Sequence, residues 1–237
     1  MRVLLTRPEH QGERTAALLR RRGHRVLHVP LLRIETIPDA EIGRGPWGAI
    51  AFTSANAARA ISIHPRKNEL AGLPAFVVGE RTQEAVRAAG FGRIASAQGG
   101  VDELAQLIMK EAEGNAPILY LAGEERAGDL AGALSAAGYA VDMTVVYRAV
   151  AETVLPDAIV QAAKTDAIDA VLHFSRRSAA VLLSLAREAS CLVNILKYKH
   201  FCLSQVVAEP LAAAGAERIF VSPHPDEAAL LELMGND

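Results

Sequence analysis

One local pattern recurs along the chain and restricts its fold more than any other feature. A short apolar run ends in a small or polar residue and gives way to an amphipathic helical stretch, often closed by glycine. The instances are 3–23, 47–63, 75–90, 117–138, 170–186, 200–215 and 218–234. The apolar runs lack clean alternation, as strands covered on both faces do. Gly23, Gly90, Gly138 and Gly215 stand where helices end in the left-handed C′ conformation. Strands alternating with helices of this length predict βαβ units and parallel sheets. The fold class is α/β.

A longer period lies beneath the short one. Residues 78–94 align without a gap on residues 203–219, pairing Gly79 with Ser204 and Gly90 with Gly215. Upstream, Ala51-Phe52-Thr53-Ser54 matches His173-Phe174-Ser175-Arg176, and Asp102-Glu103 matches Asp226-Glu227. The opening Leu4-Leu5-Thr6-Arg7 resembles Tyr120-Leu121-Ala122-Gly123. Any α/β protein repeats itself weakly, but an ungapped register favours a duplicated half and two similar lobes. Two extended, β-branched segments interrupt the pattern, Leu31–Ile37 and Thr144–Val150; they are expected to pair as a connection between the lobes.

Composition closes several alternatives. With 51% hydrophobic and 22% charged residues over 237 positions, the chain can bury one large core or two small ones. No apolar run approaches the roughly 20 residues of a membrane span. The N-terminus runs directly into strand-like residues with no cleavage site, so a cytoplasmic protein without membrane association is expected. Cys191 and Cys202, the only cysteines, read as buried apolar residues rather than a disulfide or metal site. A net charge of −2 offers nothing to nucleic acid.

In open parallel sheets ligands bind outside the carboxyl ends of strands. Those positions hold Thr6-Arg7, Thr53-Ser54-Ala55-Asn56, Gly79-Glu80-Arg81-Thr82, Gly123-Glu124, Ser175-Arg176-Arg177-Ser178, Ser204 and Ser222. Ser, Thr and Asn are also the preferred helix N-caps, which accounts for each without a ligand. Their accumulation in both halves favours helix N-termini that hold carboxylates or phosphates of an anionic small molecule. His24 and His28 lie in a strand-like segment and form no metal constellation. Neither GxxxxGK[ST] nor GxSxG occurs, and the one GxGxxG spacing, Gly43–Gly48, runs into an apolar strand-like segment instead of leading from a strand into a helix, so it is no dinucleotide fingerprint. Arg20-Arg21-Arg22 reads as a solvated helix end that suits the helix dipole.

Leu4-Leu5-Thr6-Arg7-Pro8, Phe52-Thr53-Ser54-Ala55-Asn56-Ala57, Val77-Val78-Gly79-Glu80-Arg81-Thr82 and Val146-Tyr147-Arg148, in this order and spacing, resemble the uroporphyrinogen-III synthase family. The resemblance extends to His173-Phe174-Ser175 and Ser222-Pro223-His224-Pro225-Asp226-Glu227. It implies two lobes, each a parallel sheet flanked by helices, joined by two extended linker strands. The first lobe would be discontinuous, residues 1–35 plus 150–237, and the second would be residues 36–149.

The family closes hydroxymethylbilane, a linear tetrapyrrole with eight carboxylates, into uroporphyrinogen III with loss of water and inversion of ring D. The resemblance therefore implies a cyclising lyase that needs no cofactor, binds a small-molecule substrate and acts as a monomer. Tyr147 matches a tyrosine the family places near its cleft, where the phenol would hydrogen-bond the departing hydroxyl or orient ring A; simple packing in a linker strand is the alternative. Arg7, Thr53, Ser54, Asn56, Gly79, Thr82, Gly123, Ser175 and Ser204 form the expected substrate-binding set. Arg7 and Arg148 could add charge, although surface ion pairs explain them nearly as well. Two departures stand out. Ser204-Gln205-Val206-Val207 replaces a Gly-x-x-Thr, and Ala122 stands where an arginine is frequent. They leave two rivals in view: a non-catalytic two-lobed binder of small anionic ligands, and a nucleotide-using α/β enzyme that lacks its Gly-rich loops.

Overall fold

The computed structural model describes residues 1–126 and 128–235. The chain divides into two compact units, Met1–Arg33 with Val150–Asp237, and Ile34–Ala149. The first segment supplies β1 (Arg2–Leu5), α1 (Glu9–Arg21) and β2 (Arg25–His28). Val3, Leu4 and Leu5 are all buried, as a parallel strand covered on both faces requires. Helix α1 opens with Glu9 and closes with Arg20 and Arg21, each sign matched to its end of the dipole. It stops at Gly23, whose φ is 83°. Gly90, Gly138 and Gly215 are left-handed in the same way, as the pattern predicted.

The chain enters the second unit through β3 (Leu32–Thr36). There follow β4 (Ala49–Phe52), α2 (Ala55–Ser62), α3 (Lys67–Leu70), β5 (Ala75–Val78), α4 (Gly79–Ala88), β6 (Ile94–Ala97), α5 (Val101–Glu111), β7 (Ile118–Gly123), α6 (Leu130–Ala136) and β8 (Val141–Ala151). The sheet order is β3-β8-β7-β4-β5-β6. Strands β4 to β8 pair in parallel. Ile50, Phe52, Leu119 and Leu121 face Ile61 of α2 and Val86 of α4. Phe76, Ile118 and Tyr120 face Leu104 and Ile108 of α5 and Leu134 of α6. The local pattern missed β6 because Ile94-Ala95-Ser96-Ala97 is a small-residue edge strand, mostly half-buried.

Returning to the first unit, the chain forms α7 (Asp157–Lys164), β9 (Ala170–His173), α8 (Arg176–Glu188), α9 (Leu192–Leu196), β10 (Lys199–Cys202), α10 (Gln205–Ala213), β11 (Ile219–Val221) and α11 (Glu227–Leu233). Its five-stranded sheet runs β11-β10-β9-β1-β2, parallel throughout. Helices α1 and α11 cover one face with Leu19 and Leu230. Helices α7, α8, α9 and α10 cover the other. Both cysteines are free and buried.

The two sheets share one order. Taken from the edge, β11-β10-β9-β1-β2 corresponds to β6-β5-β4-β7-β8, with β3 added. The gapless sequence repeat falls on this equivalence, since 78–94 spans the end of β5 to β6 and 203–219 the end of β10 to β11. What differs is chain order. The β1-β2 pair opens its unit, whereas β7-β8 closes the other, so the duplication is permuted. Other proposed matches do not survive in detail: Ser54 caps α2 and Ser175 caps α8, so the 51–54 and 173–176 alignment is one residue out of register. Asp226 caps α11 by accepting from the Ala229 N–H at 2.9 Å, but α5 is capped at Gly100 with Glu103 reaching back to its N–H at 2.7 Å.

The expected pairing of the two extended segments is present as β3 beside β8. Ile37 N–H donates to Val146 O at 2.8 Å and Glu152 N–H to Leu31 O at 3.0 Å; as residue numbers rise on one strand they fall on the other, so the pair is antiparallel. Strand β8 begins earlier than expected, at Val141, because its first half also pairs with β7. Among the described residues no helix is long and apolar enough to cross a membrane.

Candidate active site

A doubly wound sheet opens a crevice at its carboxyl edge where successive connections depart in opposite directions. In the first unit that point lies between β1, which leads to β2, and β9, which leads to β10. In the second it lies between β7, which leads to β8, and β4, which leads to β5. Thr6-Arg7, Phe174-Ser175, Thr53-Ser54 and Gly123 occupy these four strand ends.

The second unit holds most of the expected residues. Ser54 caps α2, accepting from the Asn56 N–H at 3.2 Å. The Asn56 side chain accepts from Arg59 at 2.9 Å. Thr53 is half-buried, and its Oγ1 lies 3.0 Å from the hydroxyl of Tyr120. Tyr147 is paired with Gly123 across a bulge between β7 and β8. Its ring lies so close over Gly123 that an added Cβ would meet Cζ at 2.5 Å and the hydroxyl at 2.7 Å. Glycine is therefore the residue that lets this ring settle at the strand end.

Gly79, which opens α4, has a φ of 72° and open space where a side chain would be. No side chain caps α4, nor its counterpart α10 behind Ser204, so both helix N-termini direct uncapped N–H groups from the carboxyl edge. Thr82 turns inward and is 5% exposed; its counterpart Val207 is 6% exposed. That explains one sequence departure: the position is interior in both units, and valine fills the space of threonine there. Ala122 is also buried, one residue before the end of β7.

In the first unit Arg7 is engaged. It pairs with Glu227 at 2.9 Å, donates to Thr15 at 3.0 Å and Gln11 at 3.2 Å, and lies 3.9 Å over the Phe174 ring. Thr15 also donates to Glu227. Arg148 pairs with Glu35 of β3 at 3.1 Å. Both arginines thus have the ion-pair role that was the plain alternative. Ser175 caps α8, accepting from the Ser178 N–H at 3.0 Å. Ser222 donates to His224 O at 2.6 Å.

Three features were not read from the sequence. Tyr120 is a lone polar residue inside the apolar strand Ile118–Gly123, and burial pushes its phenol above the ordinary range. Glu227 is the partner of Arg7. His173 and His200 form a fully buried pair on β9 and β10, Nε2 to Nδ1 at 3.0 Å, with His200 Nε2 3.1 Å from Ile195 O. A carbonyl only accepts, so His200 carries its proton on Nε2 and His173 donates from its own Nε2. Burial lowers both, His200 to about 4. The signal was available as two histidines within apolar runs.

A cavity of about 590 Å³, lined by Trp47, Pro74, Phe76, Arg93 and Glu111, lies at the amino ends of β4, β5 and β6. That is the edge opposite the crevice. Among the described residues no group of three or more His, Cys, Asp or Glu is placed to hold a metal ion.

These observations define a class: an α/β protein of two permuted, duplicated units, each with a polar carboxyl edge at its switch point. The chain is similar to the solved uroporphyrinogen-III synthetase from Helicobacter pylori 26695, with 20% identity and a TM-score of 0.65, over 99% of this chain and 98% of that one. A mutant uroporphyrinogen III synthase from the extremely thermophilic bacterium Thermus thermophilus matches at 18% identity and TM-score 0.53, over 99% and 96%. These likenesses establish the fold. No curated protein matches the chain in sequence. The sequence profile of the family described as uroporphyrinogen-III synthase HemD matches residues 13–232. The chain belongs to the uroporphyrinogen-III synthase family, enzymes of tetrapyrrole and haem biosynthesis.

Proposed function

We propose that the chain is a cofactor-independent lyase that acts as a cytoplasmic monomer on hydroxymethylbilane. The observation that carries the reading is the Tyr147 ring seated over Gly123 at the carboxyl edge of β7. From there the phenol hydrogen-bonds the ring A hydroxyl as its C–O bond breaks; the oxygen leaves with the electron pair and a proton as water, and ring A gives up its N–H proton to become a neutral azafulvene. The substituted carbon of ring D attacks the resulting azafulvene, and the spiro intermediate opens and recloses with ring D inverted. Because the substrate closes without inversion when unassisted, the protein's share is chiefly orientation. Thr53, Ser54, Asn56, Gly79, Thr82, Gly123, Ser175 and Ser204 are the proposed grip on its carboxylates. At Gly79 and Ser204 that grip comes from backbone N–H groups at the uncapped starts of α4 and α10. Arg7 joins it by exchanging Glu227 for a substrate carboxylate.

A coupled assay that supplies hydroxymethylbilane, with product isomers separated, should yield mainly the type III isomer with no added metal or nucleotide. Type I product alone would overturn the reading and leave the non-catalytic binder in its place.

The anion grip has its own test. Gly79→Ala forces a Cβ into a left-handed conformation that costs about 1–2 kcal/mol and should tilt the first turn of α4. KM is expected to rise several-fold. Replacing Arg20, Arg21 and Arg22 together by glutamine, on the solvated end of α1, should leave KM within about twofold of wild type. The reverse ranking in steady-state kinetics would move the anion site elsewhere.

A further inference from the structure

Tyr120 is 1% exposed and packs among Phe76, Leu104 and Leu130. Its hydroxyl lies 3.0 Å from Thr53 Oγ1. Either oxygen could donate, but the surroundings separate the two arrangements. Thr53 is the one hydrogen-bond partner of the phenol among the described residues, so were Thr53 the donor the buried phenol hydrogen would have no acceptor, which is the costly case of an unmade bond. With Tyr120 donating, Thr53 receives that hydrogen and keeps its own. Thr53 is half-buried at the carboxyl edge of β4, so its hydrogen can turn outward.

We infer that Tyr120 is a positioning residue that fixes Thr53 as an outward hydrogen-bond donor to a carboxylate of the substrate. The inference rests on the proposed function for the identity of that substrate. Its geometry is local: Tyr120 pairs with Ala51 across β7 and β4, and Thr53 is two residues beyond Ala51, on the same face. A phenol is the stronger donor of the two hydroxyls. Once its hydrogen is committed to Oγ1, the threonine hydroxyl is polarised in the sense that strengthens its own donation. The strand core thereby sets the direction of a group at its edge, and no charge has to be buried.

The test is a set of variants measured in the isomer-resolved assay, after wild type has been shown to make type III product; failure of the functional reading would thus appear before any variant is made. Tyr120→Phe is isosteric and should raise KM on the order of 3- to 10-fold, the range expected for one directed hydrogen bond, with kcat within about twofold. Thr53→Val should raise KM at least as much, and Thr53→Ser, which restores the hydroxyl, should recover most of what Thr53→Val loses. The decisive measurement is the double variant. If Tyr120 acts through Thr53, Tyr120→Phe with Thr53→Val matches Thr53→Val alone. Two outcomes would overturn the inference: a Tyr120→Phe protein that melts at lower temperature with unchanged KM, or a KM effect that multiplies fully with that of Thr53→Val.

Discussion

Gly123→Ala should reduce turnover by about an order of magnitude or more while the sheet of the second unit stays folded. The backbone at Gly123 is not among the left-handed glycines, so alanine meets no conformational penalty there. What it meets is Tyr147, whose Cζ would lie 2.5 Å from the new methyl group. The ring must swing from its seat, and an orientation error of that size is large for a reaction that depends on positioning. Tyr147→Phe removes only the hydroxyl, and is expected to lower kcat more than it raises KM. A general acid–base role would be worth on the order of 10²–10⁴-fold, a purely orienting one far less. Gly123→Ala should fall at least as far as Tyr147→Phe. Wild-type turnover in a folded Gly123→Ala protein, checked by urea titration, would remove the seated ring from the mechanism.

The second large effect is a loss of stability between pH 6.5 and about 4, driven by the buried His173–His200 pair. Both imidazoles are held neutral by burial, with His200 lowered from 6.5 to about 4 and His173 lowered well below its ordinary value. Above pH 6.5 neither folded nor unfolded chain binds a proton at these sites, and stability is unaffected. Below it the unfolded chain takes up protons that the folded chain refuses, so stability falls as pH falls. The loss from His200 levels off near pH 4 at roughly 3 kcal/mol, taking about 1.4 kcal/mol for each tenfold in acidity. His24, lowered by burial and by the nearby amino terminus, adds to the same window. Asp169, held at about 2 by its bonds to Arg2, acts later. Its contribution is present above pH 3.8 and is lost as pH falls towards 2. Urea midpoints at pH 7.5 and pH 5 should therefore differ, and His173→Leu with His200→Leu should flatten most of the difference. An unchanged slope in that double variant would assign the acid response elsewhere.

The elements were legible where apolar runs and helix-ending glycines agree, as at β1-α1-Gly23 and β5-α4-Gly90. They were illegible where a strand is short of apolar residues, as in β6, because edge strands need little burial and carry little pattern. At the site, residue type gave position but not engagement. Ser54 and Ser175 proved to cap helices and Arg7 to face Glu227, since a hydroxyl or guanidinium at a strand end satisfies its nearest partner before any ligand. Tyr120 was hidden for a different reason: aromatic residues are expected in cores, and one hydroxyl among them changes no hydropathy pattern.

The permuted order of the two units also sets a timetable for synthesis. Residues 34–149 form a contiguous unit and can complete their sheet as soon as β8 has left the ribosome. The opening segment cannot. Strand β1 needs β9 beside it, and Arg2 finds Asp169 only 167 residues later. Until then Val3, Leu4, Leu5 and the apolar face of α1 have β2 alone for company, and a pair of strands under one helix is too small to persist. The apolar residues of β1 are thus covered late in translation, long after they are made, because the strand that flanks them is encoded far downstream. A chain refolding from denaturant has both strands from the outset; a nascent chain must keep β1 waiting for β9.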